Sequence, residues 1–200
     1  RQEGPSDTGS MLQGRVIELE VDRRYFADRP NCVSLLPMVG FVRSERLGKL
    51  MEKYLALHLR LRFDRVIHGS ERRGLLSFAR LNPEKAKDRL RSRETAHCGY
   101  EFDFRLIQAR TDFALVWAQL SLGLEARLTR ARDGLVLWKA RHTARRSEGG
   151  LAVSPLGAIA SAAEASALVS DGDQVVSLVA DLTRRVVAAL PSRNQGYRSY

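Results

Sequence analysis

Three features of the sequence predict an α/β fold, a two-layer sandwich in which helices cover a mixed sheet. The first is a long strict alternation. Val116, Ala118, Leu120, Leu122, Leu124, Ala126 and Leu128 point one way, and Trp117, Gln119, Ser121, Gly123, Glu125, Arg127 and Thr129 point the other. Apolar residues at period two specify a strand, because a helix repeats every 3.6 residues. The second is a pair of short apolar runs, Cys32–Pro37 and Phe63–His68, on either side of a helical stripe. That is the pattern of a β-α-β unit, whose strands are parallel and whose crossover is right-handed. The third is an amphipathic run near the C-terminus. Val175, Leu178, Val179, Leu182, Val186, Ala189 and Leu190 have the spacing of one helix face.

In chain order, residues 1–15 have the Gly, Pro, Ser and Asp content of a flexible linker, 16–191 form a single α/β domain, and 192–200 are a polar, flexible tail. Val16 to Val21 alternates briefly and reads as an edge strand. Cys32 to Leu36 is a buried strand halted by Pro37. The first helix spans Ser44 to Leu61, with Ser44 as its N-cap. Leu47, Leu50, Met51, Tyr54, His58 and Leu61 face the core, and Arg46, Lys49, Lys53 and Arg60 face away. After the Phe63–His68 strand, Asn82-Pro83-Glu84 opens a charged helix running to Glu94.

Tyr100, Phe102, Phe104 and Leu106 then alternate with Glu101, Asp103, Arg105 and Ile107. Pairing this strand with 116–122 about Thr111 sets Arg105 opposite Trp117, within cation–π reach. Pro155 to Val169 is an Ala-rich helix that buries little area and suits close helix–helix approach. Asp173 caps the last helix, which Pro191 ends. The predicted order is β-α-β-α-β-β-β-α-α.

The hairpin after Leu128 has two candidate registers. A two-residue turn at Asp133-Gly134 would set Leu128 against Lys139 and split the apolar face. A three-residue loop, Arg132 to Gly134 with Gly134 left-handed, sets Leu128 against Trp138, Ala126 against Ala140 and Glu125 against Arg141. The second register keeps both faces consistent and is the one expected.

The net charge of +10 is regional. Between Arg43 and Arg93 stand 15 Lys and Arg against 6 Asp and Glu, whereas residues 151–191 hold two bases against four acids. This points to a basic surface for an anionic partner, with Arg43, Arg46, Lys49, Lys53, Arg60, Lys85, Lys87, Arg89, Arg91 and Arg93 as candidates. The plainer reading is a solvated face of Arg-rich helices. No active site emerges. The four histidines are scattered, no zinc spacing or phosphate-cradling glycine loop is present, and adjacent His97 and Cys98 point to opposite faces of a strand. Glu101 and Asp103 share a face with Arg105, which favours a salt-bridged surface over an acid/base pair. No cofactor or metal is expected, and no apolar run approaches the length of a membrane span.

The long alternating strand, the acidic-Gly turn, and Gly134-Leu135-Val136-Leu137-Trp138 together resemble a group of bacterial envelope lipoproteins. The group comprises curli-secretion (CsgG-like) lipoproteins, lipoprotein activators of penicillin-binding proteins, exopolysaccharide-export lipoproteins and the related N-terminal domain of TolB. Leu36-Pro37 adds to the resemblance, because the group's central first strand also ends in proline. From about Cys32 to Leu190 the element order matches that anticodon-binding-like domain. Two features depart from it: residue 1 is Arg and not a lipid-bearing cysteine, and Asp133 stands where many relatives have Thr.

The resemblance implies a non-enzymatic periplasmic domain, outer-membrane-anchored in its full-length precursor. It would serve as an assembly or accessory component of a secretion, export or wall-synthesis complex. Its partners would be copies of itself or other envelope proteins, with anionic lipid or polysaccharide as a further partner. In the resembled fold the strands beginning near Cys32 and Cys98 run side by side in parallel, which would bring the two within disulfide reach. Such strands orient Cβ poorly for bridging, so two buried thiols that never meet is the alternative. The competing function is a basic nucleic-acid-binding domain. It is disfavoured by the scarcity of aromatics in the basic region and by the absence of a recognition-helix motif.

Overall fold

The computed structural model describes residues 16–38, 45–80, 97–114, 117–149 and 172–192. Along the chain these form β1 (Glu18–Val21), α1 (Arg24–Asp28), β2 (Cys32–Leu35), α2 (Glu45–Leu59), β3 (Arg65–Ile67), α3 (Gly69–Phe78), β4 (Tyr100–Ala114), β5 (Trp117–Arg130), β6 (Leu135–Gly149) and α4 (Gly172–Ala188). The strands make one mixed sheet in the order β1-β6-β5-β4-β2-β3. β2 is parallel to both β3 and β4, and the other pairs are antiparallel. The α/β class and mixed sheet expected from the sequence are therefore those of the protein.

Handedness decides where the helices go. From β2 the chain steps through α2 to β3 on one side, then returns past β2 to β4 on the other. Right-handed crossovers that step in opposite directions must run over opposite faces of the sheet. Accordingly α2 and α4 cover the face that carries Val33, Leu35, Phe102 and Trp138. α3 lies on the opposite face, where Leu75 packs against Cys32, Ile67 and Cys98. Neither α3 nor α1 is expected from the sequence. The helices expected at 82–94 and 155–169, and the proposed caps Ser44 and Asp173, lie outside the described residues or side chains.

The β5–β6 register is the expected one: Leu128 faces Trp138, Ala126 faces Ala140 and Glu125 faces Arg141. The route to it differs. The turn has four residues, Ala131 to Gly134, closed by Gly134 N–H donating to the Arg130 carbonyl at 2.9 Å, with Gly134 at φ +72°. This pairs Arg130 with Leu135 and Thr129 with Val136, and a bulge at Leu137 then shifts the ladder into register.

The expected β4–β5 pairing is wrong. Ala114 pairs with Trp117, and Arg105 lies opposite Glu125, far along the hairpin from Trp117. The cause is a bulge between Leu106 and Gln108, which inserts Ile107 and restarts the alternation, so the strand continues well past the point where its pattern breaks. Gly123 makes room for the insertion. A Cβ there would stand 2.9 Å from Ile107 Cγ1 and 3.0 Å from Gln108 Cβ.

The core centres on Trp138, whose ring stacks on Phe102 at 5.8 Å and whose Nε1–H donates to the Ala189 carbonyl at 3.3 Å. α4 contributes Val175, Leu178, Val179, Leu182, Val186 and Leu190, as its stripe predicts. For α2 the stripe is displaced. The buried residues are Leu47, Met51, Leu55, Ala56 and Leu59, and the helix stops at Leu59. Leu61 therefore falls in the turn beyond and is 80% exposed, not in the core.

Trp138→Ala should destabilise by roughly 3–5 kcal/mol, since a fully buried indole leaves a cavity that its neighbours only partly fill. Gly123→Ala should cost about 1–3 kcal/mol through overpacking at the bulge. Urea denaturation of each variant measures both. A neutral Gly123→Ala would show that the Ile107 bulge yields freely.

Candidate functional site

The expected basic surface is only partly described. Arg46, Lys49 and Lys53 share the solvent-facing side of α2 at helical spacing, and Arg60 is exposed in the turn just after the helix. Lys49 pairs with Glu45 at 2.7 Å, and Arg60 Nη2 lies 3.0 Å from His68 Nε2. Among the described residues Arg46 and Lys53 have no ion pair. Arg43, Lys85, Lys87, Arg89, Arg91 and Arg93 lie outside the described residues.

A second basic region, not anticipated from the sequence, lies at the end of the sheet where the parallel strands β2, β3 and β4 begin. Four contacts draw distant segments to this lower end. Asp64 N–H donates to the Asn31 carbonyl at 2.9 Å and Ala131 N–H to that of Gly99 at 2.8 Å. Arg62 Nη2 donates to the Ala188 carbonyl and Tyr25 Oη to that of Pro191, both at 3.1 Å. α3 also ends here, because Leu75 meets Cys32 and Cys98 and Phe78 lies one turn further on. Arg29, Arg80 and Arg132 are exposed at this end and without ion pairs among the described residues. Phe78 is 89% exposed, Leu61 80% and Leu57 53%. The sequence signal was available in Leu57, which interrupts the basic stripe of α2.

The cysteines meet at the same end. Cys32 opens β2 and Cys98 precedes β4, and a disulfide joins them with Cα atoms 5.5 Å apart, inside the range such a bond requires.

All four residues of the hairpin motif serve the fold. Gly134 takes the left-handed turn position, Leu137 is the buried bulge residue, and Trp138 anchors the core. Asp133 holds Arg130 together with Asp28. Arg130 Nη1 reaches the Asp28 carboxylate at 2.9 and 3.2 Å, its Nε reaches Asp133 at 3.0 Å, and Leu135 N–H donates to Asp133 Oδ1 at 3.2 Å. A Thr here would accept from Leu135 but would leave Arg130 balanced by Asp28 alone. The Arg130 hydrogen bond holds the Asp133 carboxyl down at about 2. A second carboxyl, Asp22, is held down to about 2 by Arg24.

On the outer face of β4–β6, Glu125 is buried. Arg105 reaches it at 2.7 Å and Arg141 at 2.9 Å. Burial alone would raise its carboxyl, but the Arg141 and Arg105 hydrogen bonds and charges prevail and hold it below the usual range. Neighbouring Asp103 goes the other way, raised by burial that Arg127 at 3.0 Å does not offset. These groups are consumed in ion pairs. Among the described residues no three His, Cys, Asp or Glu gather as metal ligands, and no helix is long and apolar enough to cross a membrane.

No family model matches the sequence, and no curated protein does. Among solved structures, a PelC dodecamer from Paraburkholderia phytofirmans is similar at 14% identity. The match covers 86% of this chain and 96% of that one, with TM-score 0.46. Lipoprotein GNA1162 from Neisseria meningitidis is 14% identical over 66% of this chain and 94% of its own, with TM-score 0.48. The LpoB C-terminal domain from Salmonella enterica is 8% identical over 60% and 93%, with TM-score 0.38. Similarity at this level fixes neither family nor function.

The Arg130 clamp predicts acid lability of a definite sign. Asp133 titrates lower folded than unfolded, so its contribution is complete above the usual carboxylate range near 3.9 and fades as pH falls toward about 2. Asp133→Asn should lower the urea midpoint at pH 7 and flatten its fall between pH 5 and 2. An unchanged pH slope would remove Asp133 from the acid response.

Proposed function

We propose that this chain is a non-enzymatic domain of the bacterial envelope, periplasmic and outer-membrane-associated in its precursor. It acts as an assembly or accessory component of a secretion, export or wall-synthesis complex. The observation that carries the compartment is the Cys32–Cys98 disulfide, since such bonds persist in oxidising compartments and are rare in the cytosol. The hairpin signature at Gly134–Trp138 and the Leu36-Pro37 strand ending support the lipoprotein class. Self-association or an envelope partner is supported by the strand edges. Among the described residues, β4 beyond Phe102 and β6 beyond Arg141 have no strand on their outer sides, and such edges accept added strands.

Thiol titration of protein isolated from its host, unfolded without reductant, tests the compartment. No thiol should react until dithiothreitol is added; two reactive thiols would sink the bond, and with it the observation that carries the compartment, though not the envelope assignment itself. Cross-linking the bond's 66-residue separation corresponds to about 4 kcal/mol in the chain-entropy description, so reduction should lower stability on that scale.

A further inference from the structure

We propose that the lower end of the sheet docks edge-on against an anionic phospholipid surface. Phe78 and Leu61 enter the headgroup layer, and Arg29, Arg80 and Arg132 meet the phosphates. The arginines alone would not carry this, because Arg80 follows a helix C-terminus, where a cation complements the dipole whatever else it does. Two further observations point outward. The first is the exposure of Phe78, the last residue of α3, and of Leu61, in the turn that follows α2, the two helices lying on opposite faces of the sheet. Large apolar side chains at the same end as exposed arginines that have no ion pair among the described residues form the interface pattern of a peripheral membrane surface, not of a solvated protein face. Apolar tips would gain nothing from a soluble polyanion, which is why a bilayer is favoured over a polysaccharide.

The second observation is backbone conformation. Among the described residues, the non-glycine residues with positive φ are Arg29 at 45°, Arg80 at 52° and His97 at 47°. All three are exposed, and all stand at this end, just before β2, after α3 and just before β4. Arg29 ends α1 and Arg80 follows the end of α3, positions where glycine adopts this conformation without the steric penalty of a Cβ. A strained position held by arginine puts a long cation where the fold would be served better by none.

The proposal rests on the envelope reading only for which membrane is met. Vesicle binding and thiol status are separate measurements, so either can fail alone. The test is sedimentation of the full chain with vesicles of phosphatidylglycerol and phosphatidylethanolamine, compared with phosphatidylcholine, at low and physiological salt. Binding should require the anionic lipid and weaken with salt. Leu61→Ala/Phe78→Ala should abolish it with the thermal midpoint unchanged. Arg29→Gly/Arg80→Gly should weaken it, by about fivefold for each arginine removed, while leaving the midpoint equal or higher. Several results would overturn the proposal: no binding to anionic vesicles, binding that both double variants retain, or binding to heparin without binding to vesicles. A lowered midpoint in Arg29→Gly/Arg80→Gly would assign the arginines to the fold and overturn it as well.

Discussion

The sheet is a single sheet only because β2 pairs with β4, and it does so across two residue pairs, Ser34 with Glu101 and Leu35 with Phe102. On one side of that junction lies the short parallel β2–β3 unit, and on the other the long antiparallel meander. So short a ladder is weak by itself, and its register is reinforced from several directions. Leu36 N–H donates to the Phe102 carbonyl at 2.9 Å, continuing the ladder by one bond. The Arg72 guanidinium donates to the Leu35 carbonyl from α3. The Cys32–Cys98 bond closes the lower end of the same strand pair. A one-residue slip would turn Leu35 out of the core face that it shares with Phe102 and Trp138. The covalent link and the buried aromatic stack therefore hold the same register.

Burial of charge follows one pattern at two places. Glu125 on β5 is shared by Arg105 of β4 and Arg141 of β6, so one carboxylate ties three strands. Arg130 at the end of β5 is shared by Asp28 of α1 and Asp133 of the turn. In each case a buried ion meets two opposite charges, and loss of one leaves it partly compensated, not bare. Such arrangements add little net stability over an apolar core, but they penalise wrong pairings strongly. Both sit on the meander, where four of the six strands run antiparallel and where a shifted ladder is the obvious competitor.

Much of this architecture was legible. Period-two alternation located the meander, and the demand that both hairpin faces agree chose the β5–β6 register without knowledge of the turn. The errors arise where local pattern is interrupted by something distant. Ile107 breaks the alternation of β4, which reads as the strand's end, but Gly123 on the neighbouring strand absorbs the insertion. α3 contains two glycines and few apolar residues, so its sequence does not announce a helix. What starts it is Glu52, seventeen positions earlier on α2, whose carboxylate accepts from Gly69 N–H at 2.9 Å. Handedness then places it on the face where Leu75 can pack. The basic stripe of α2 was visible, whereas the lower end draws residues from helix ends and strand starts scattered from Arg29 to Arg132.

That scattering itself has a physical origin. In a unit where parallel strands begin at one end, the crossover helices finish at the same end, so helix C-termini and strand starts converge there. Cations are favoured by the helix dipoles, and turns with positive φ are needed to redirect the chain. The first need accounts for arginine in the neighbourhood and the second for the conformation. Neither accounts for arginine occupying the left-handed positions themselves, nor for Leu61 and Phe78 standing in water beside them. Gly134 shows what the chain does when only the turn matters: at φ +72° it uses glycine. At Arg29 and Arg80 the same kind of position carries a long charged side chain, and that choice belongs to what the lower end meets, not to how it folds.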